Sequence, residues 1–292
     1  MSASRNPFLE LDGQGVPLLQ LKQSLVLYLD YPPGPRRARA VYDAYMERFG
    51  SYIRVFQSTS WLGPPLEWSA TARAEFEASH LPRLKSGVDW GYAFTDGCLV
   101  DHHLFMFHGY RPASEPGKAS FFRFEWPWDF DSEEVALFAA ELADLVPFLS
   151  GTGGFILSPR PYDGDAHDRM FALAWRYWGL EAWNLDVTVN HALGGYKCPG
   201  WITLIGARLL QRSKGTVNLE AVAPYATAKR HGTLYRSRPL PALIDRNRAE
   251  PYDGERVISL ALLPLQIEEH AAFGGTRWTD DNTVEWLRRF SR

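Results

Sequence analysis

Hydrophobic positions along the chain fall into two patterns, short apolar runs and apolar residues spaced three and four apart. Short runs bounded by turn residues predict β-strands, and the wider spacing predicts helices. The predicted strands are 24–30, 52–58, 90–95, 98–108, 120–126, 153–158 and 257–263. The predicted helices are 35–49, 69–84, 131–145, 165–178, 200–212 and a final helix that begins after Thr279.

Turn and capping residues support this pattern at several places. Pro35 stands where a first helical residue is favoured, and Gly50 is a suitable stop. Asp96-Gly97 is a strong hairpin signal. Strands grouped in hairpins, with helices between the groups, predict an α+β fold in which helices pack against a largely antiparallel or mixed sheet. One version of this fold would consist of two related halves. We expect a loose leader over 1–19 and a single domain over 20–292, with 150–154 as the candidate sub-domain boundary.

Composition indicates a folded protein without a membrane span. The 292 residues are 46% hydrophobic, and no apolar run approaches the length of a signal peptide core or a membrane helix. Cys98 and Cys198 lie far apart, which favours reduced thiols in the cytoplasm. Residues 1–150 hold 19 acidic and 13 basic side chains, a net charge of −6, whereas residues 151–292 hold 15 and 18, a net charge of +3. An acidic half argues against direct nucleic-acid binding and is compatible with a basic protein partner.

A histidine-rich stretch, Val100-Asp-His-His-Leu-Phe-Met-Phe-His108, raises the possibility of a metal site. In a strand, Asp101 and His103 share one face, while His102 and His108 share the other and lie about 20 Å apart. Zinc ligands lie about 2 Å from the metal, so the three histidines cannot form one site unless the strand breaks. Asp101 and His103 remain a half-site for a metal-dependent or small-molecule enzyme. Nucleophile-elbow and zinc-protease motifs are missing from the sequence, and we predict no cofactor and no catalytic residue.

An acidic–aromatic segment, Phe124-Glu-Trp-Pro-Trp-Asp-Phe-Asp-Ser-Glu-Glu134, is the predicted partner-binding surface. Aromatic side chains ringed by carboxylates are typical of an interface for a basic protein. The alternative is a strand-to-helix connection with tryptophans packed beneath it and acids that cap the helix. The candidate partner-binding residues are Glu125, Trp126, Trp128, Asp129, Asp131, Glu133 and Glu134.

A glycine-rich segment, Gly194-Gly-Tyr-Lys-Cys-Pro-Gly-Trp-Ile-Thr-Leu-Ile-Gly206, has two interpretations. A lysine before a helix start could hold a phosphate, but no Gly-Lys-Ser/Thr sequence follows. The apolar spacing that continues to Leu209 instead predicts a tight turn and a helix that faces the core.

Three segments together resemble a known family. They are Leu25-Val-Leu-Tyr-Leu29, the Gly194–Leu210 segment and the closing Val284-Glu-Trp-Leu-Arg-Arg-Phe290. They are similar to the type VI secretion immunity family that includes partners of VRR-NUC nuclease effectors. The resemblance implies a non-enzymatic immunity protein that binds a cognate toxin one-to-one and blocks its active site. A nuclease attracts phosphates, so the implied partner is basic and an acidic inhibitor would mimic the nucleic acid. A structural component of a secretion apparatus is a third reading.

Overall fold

A twelve-stranded sheet organises the chain, which the computed structural model describes over residues 6–58, 64–84, 90–100, 102–213 and 215–292. The strands are β1 (Glu10–Leu11), β2 (Pro17–Leu29), β3 (Val55–Ser58), β4 (Leu66–Glu67), β5 (Trp90–Thr95), β6 (Leu104–Gly109), β7 (Ser120–Pro127), β8 (Ser150–Pro159), β9 (Glu181–Ala182), β10 (Ile202–Gly206), β11 (Ala226–Lys229) and β12 (Gly232–Arg236). The helices are α1 (Pro35–Phe49), α2 (Ala70–Glu75), α3 (Ser132–Leu145), α4 (Gly164–Arg176), α5 (Leu185–Thr188), α6 (Ala207–Arg212), α7 (Leu219–Val222), α8 (Asp253–Leu262) and α9 (Asp280–Leu287).

The strand order is β11-β12-β10-β8-β2-β7-β6-β5-β3-β4, with β1 on β2 and β9 on β8. The β8–β9 pair is parallel and the other pairs are antiparallel. This arrangement confirms the predicted α+β class. None of the helices in the described ranges is long and apolar enough to cross a membrane.

The long strand β2 divides the interior into two layers. Leu25 and Leu27 belong to the core cluster formed with α1 and α3. Val26 and Tyr28 belong to a second cluster, which contains Trp183 from the segment before α5. Successive side chains of a strand point to opposite faces, so β2 supplies apolar residues to both layers.

Two predicted elements have the wrong type. The helix predicted over 200–212 is β10 followed by the short α6, and the strand predicted over 257–263 lies in α8 and the turn after it. Every residue of β10 is buried, and a strand covered on both faces gives a continuous apolar run that periodicity does not separate from a helix. In α8, the buried Ile258, Ala261 and Leu262 follow helical spacing, which the short apolar run concealed.

The start of β6 also differs from the sequence pattern. The β5–β6 hairpin forms as predicted, but β5 ends at Thr95 and β6 begins at Leu104, so the two strands are not joined by a two-residue turn. The glycine-rich stretch 150–154 lies within β8. Near the N-terminus, Asn6 is buried and its side-chain amide donates to the carbonyl oxygen of Leu21 at 2.8 Å, so this part of 1–19 contacts the sheet.

Candidate functional site

The acidic–aromatic segment divides between the core and the surface. It runs from β7 into α3, and the side chains of Glu125 and Trp126 at the end of β7 are completely buried. The exposed or half-exposed carboxylates of the segment are Asp129, Asp131, Glu133 and Glu134. The structure therefore does not bring the seven predicted residues to one surface.

The tryptophans of the segment pack inward. Trp126 lies edge-on to Phe49 with ring centroids 5.5 Å apart, and Trp128 is partly buried against the cluster around α4 and α9. The Gln23 side-chain amide donates to the carbonyl oxygens of Trp128 at 3.2 Å and Phe130 at 2.5 Å. These contacts match the alternative interpretation, a strand-to-helix connection with its tryptophans packed beneath it.

Helix capping and ion pairs engage several of the exposed acids. The Asp131 carboxylate accepts the backbone N–H of Glu133 at 2.9 Å and so caps α3. Glu133 pairs with Arg236 at 2.6 Å, and the hydrogen bond from Arg236 lowers the pKa of Glu133. Glu134 pairs with Arg48 at 3.3 Å.

These acids continue along α3 to form a surface that we call the acidic edge. Its carboxylates are Asp129, Asp131, Glu133, Glu134, Glu141 and Asp144. Three basic side chains of the described residues pair with them, Arg48, Arg236 and Lys229. Six carboxylates against three cations leave an excess of negative charge. Leu137 is 48% exposed and lies among them on the same helical face.

Glu125 is the centre of a buried ionic group that we call the Glu125 cluster: Lys22, His102, Arg123 and Glu125. The Lys22 ammonium donates to Glu125 at 2.9 Å, and the Arg123 guanidinium bonds the other carboxylate oxygen. A ring nitrogen of His102 lies 3.0 Å from Glu125. Burial alone would raise the pKa of Glu125, but Arg123, Lys22 and His102 together hold it well below its usual range.

A cavity of about 630 Å³ opens on the cationic side of this cluster. Lys22, His102 and Arg123 line it, whereas Glu125 lies behind them and is not part of the wall. Arg123 also stacks on Trp183, with its guanidinium carbon 4.7 Å from the ring centroid. This volume falls within the size range of small-ligand and side-chain pockets, and the walls combine apolar groups with a few convergent charges. Sequence reasoning missed this site, because Lys22 and Arg123 stand far apart in the chain.

His103 is held by structural contacts. Its Nδ1 atom lies 3.1 Å from the Asp96 carboxylate, and its ring stacks on Tyr52 with centroids 4.0 Å apart. Burial lowers the pKa of His103, against the opposing effect of Asp96. Asp101, its predicted partner, lies outside the described residues. Among the residues that are described, no three His, Cys, Asp or Glu side chains are grouped to hold a metal ion.

The Gly194–Leu210 segment serves the core. The Lys197 ammonium is buried and donates to Glu181 at 2.7 Å and to the carbonyl oxygen of Ala182 at 2.9 Å. Thr152 donates to the second oxygen of Glu181 at 3.1 Å. The lysine that could have held a phosphate therefore neutralises an internal carboxylate.

A family model described as type VI immunity for VRR-NUC matches residues 40–290. The chain belongs to this family, TsiV. The match begins within α1 and extends past α9, so it confirms the family and includes the Gly194–Leu210 and Val284–Phe290 motifs, whereas Leu25–Leu29 lies before the matched residues. It makes the chain a member of a type VI secretion immunity family, whose role is protection against VRR-NUC effectors.

A solved structure of a T6SS protein from Pseudomonas aeruginosa has the same fold. The TM-score is 0.78 at 16% sequence identity, and the match covers 97% of this chain and 87% of that chain. At this identity the likeness shows the fold of the TsiV chain and not its contacts. No curated protein sequence matches the chain.

Proposed function

We propose that this TsiV chain binds a cognate VRR-NUC effector one-to-one in the cytoplasm and blocks the nuclease active site. The observation that carries the proposal is the family match, because it includes nearly all of the folded elements. The inhibition is stoichiometric, with no catalytic step by this chain and no direct contact between this chain and nucleic acid.

The acidic edge is the proposed contact surface. A nuclease must attract the phosphates of its substrate, so its substrate-binding surface is expected to be positive. The excess negative charge along 129–144 complements such a surface and would speed association. Exposed Leu137 supplies an apolar centre within the charged ring.

The buried members of the predicted surface act indirectly in this proposal. Trp126 and Trp128 support the connection between β7 and α3, and the Gln23 amide donates hydrogen bonds to two backbone carbonyl oxygens of this connection. This support keeps Asp129 and Asp131 exposed at the start of α3. A supported connection loses less conformational freedom on binding than a mobile loop would.

Co-expression with a cognate VRR-NUC effector tests the proposal. We expect restored growth, a complex with the mass of one copy of each protein, and loss of nuclease activity in the purified complex. The nuclease expressed with an empty vector is the matched control for toxicity. A complex that retains full nuclease activity, or a nuclease that remains toxic beside the folded chain, would contradict the proposal.

A further inference from the structure

The cavity beside the Glu125 cluster presents a prearranged cation. Arg123 is fixed on one side by Glu125 and on the other by the ring of Trp183. Among the described residues, the cations that line the cavity are Lys22, Arg123 and Arg160, and the one lining carboxylate is Asp186. Arg160 pairs with Asp12 and Asp163, whereas Lys22 and Arg123 share the single carboxylate of Glu125, which leaves one net positive charge at the floor of the cavity. A planar guanidinium held in place matches the two oxygens of a carboxylate, which makes an acidic group the complementary ligand.

Two exposed apolar side chains stand among the residues that line this cavity. Tyr162 is 91% exposed and Leu99 is 63% exposed. Tyr162 also has a φ of 61°, in the left-handed region that residues other than glycine, asparagine and aspartate rarely adopt. Such backbone conformations are concentrated at binding sites. An interface pocket combines these features, a charged floor for one side chain and apolar groups that exclude water around it.

The cavity and the start of the acidic edge lie beside adjacent residues of β2, on opposite faces of the sheet. Lys22 and Gln23 are adjacent in β2, and their side chains point to opposite faces. Lys22 lines the cavity, whereas Gln23 bonds the Trp128 and Phe130 carbonyl oxygens and accepts the Ser132 hydroxyl at 3.1 Å. A partner that contacts both surfaces must therefore reach both faces of the sheet.

We infer that the cavity receives an acidic side chain of the cognate effector, and that the apolar neighbours of that side chain pack on Tyr162 and Leu99. The inference rests on the proposed function and extends it, because it gives the interface a second contact of opposite charge. A basic nuclease surface faces the acidic edge, while an acidic loop of the same nuclease enters the cation-lined cavity. Paired contacts of opposite sign fix the orientation of the partner, which one charged surface alone does not do.

Charge variants at Leu99 test this inference without altering the buried cluster. Leu99→Glu, Leu99→Lys and Leu99→Gln are compared for binding to a catalytically inactive variant of the cognate VRR-NUC effector. We expect Leu99→Glu to bind roughly tenfold more weakly than Leu99→Gln, and Leu99→Lys to bind more tightly than Leu99→Gln. Tyr162→Gly should also weaken binding roughly tenfold, because it removes an exposed aromatic contact.

The same substitutions at Leu260 provide the matched control. Leu260 is 48% exposed on α8, away from the cavity lining, so its Glu, Lys and Gln variants should bind alike. Equal binding of the three Leu99 variants, with Tyr162→Gly at the affinity of the unaltered chain, would overturn the inference while leaving the proposed function intact. The reverse order, in which Leu99→Glu binds the nuclease more tightly than Leu99→Lys, would indicate a basic occupant of the cavity and would also overturn the inference. Failure of the unaltered chain to bind the nuclease would instead remove the proposed function itself.

Discussion

The Nζ atom of Lys22 lies 2.9 Å from Oε2 of Glu125, and the two side chains are 2% and 0% exposed. Arg123 and His102 complete the group around the same carboxylate. Lys22 lies in β2, Arg123 and Glu125 lie in β7, and His102 lies in the connection before β6, so one ionic group joins two strands and a connecting segment. Buried charges of this kind are stable when paired and costly when one partner is lost.

Loss of the Glu125 charge should destabilise the fold strongly. Glu125→Gln leaves Lys22 buried without its anion, and we expect the free energy of unfolding to fall by about 3 kcal/mol. Urea denaturation followed by circular dichroism measures the change. Glu115→Gln is the control, because Glu115 pairs with Lys118 at 2.8 Å on the surface and should change stability by less than about 1 kcal/mol. Equal losses of unfolding free energy in the two variants would show that the buried ion pair stabilises the fold no more than the surface pair does.

The same carboxylate should give stability a defined pH dependence. Arg123, Lys22 and His102 outweigh the effect of burial and hold the pKa of Glu125 well below its ordinary value of 4.5. A lowered pKa means that the stabilisation is complete above pH 4.5 and is lost as the pH falls through the folded-state value. Urea denaturation of the unaltered chain and Glu125→Gln should therefore show a stability difference that becomes smaller as the pH falls below 4.5. A stability difference that increases as the pH falls would contradict the lowered pKa of Glu125.

The two glycines of the Gly194-Gly195 pair should respond differently to a methyl group. A Cβ at Gly195 would lie 2.2 Å from the carbonyl oxygen of Leu265, whereas the nearest atom to a Cβ at Gly194 is 3.2 Å away. The close approach exists because Tyr196 exchanges backbone hydrogen bonds with Leu265 and Ile267. We expect Gly195→Ala to lower the free energy of unfolding by roughly 3 kcal/mol and Gly194→Ala by about 1 or less. Thermal unfolding of both variants measures this contrast, and similar melting temperatures would contradict it.

Charge changes at the start of α3 should slow association with the nuclease. Asp129→Lys alters an exposed carboxylate, and Asp131→Asn removes charge while it retains the helix cap. We expect the association rate to fall about tenfold for Asp129→Lys at low salt and the difference to shrink as salt rises.

Stopped-flow mixing with the inactive nuclease measures these rates. Glu268→Lys is the matched control, since Glu268 is exposed in the connection between α8 and α9 and carries the same charge change. An equal slowing by Glu268→Lys would indicate long-range attraction by net charge, without a contact at the acidic edge.

Local signals account for the parts of the fold that the sequence predicts well. Pro35 and Gly50 mark the two ends of α1, and Asp131 caps α3. Each of these signals depends on only a few neighbouring residues, so it can be recognised in the sequence. The same locality explains the errors at β10 and α8. Both are short apolar runs, and their type is decided by which elements cover them.

The candidate site depends on contacts that no local pattern contains. Lys22 and Glu125 are 103 residues apart in the chain. Glu125 belongs to a segment that reads as an acidic surface, and its burial follows from the register of β7 against β2, where it lies opposite Ser24. Composition could show the excess of acids in this region but could not show which of them the cationic side chains neutralise.

The opposite orientations of Lys22 and Gln23 also restrict how β2 can align between β7 and β8. A slip of one residue would turn the Lys22 ammonium toward the apolar layer under α3 and leave Glu125 facing an amide. Both buried charges would then lose their partners. A one-residue slip of β2 therefore costs far more free energy than the same slip in a purely apolar strand. The ion pair thus favours a single register of β2 during folding, whether or not a nuclease is ever bound.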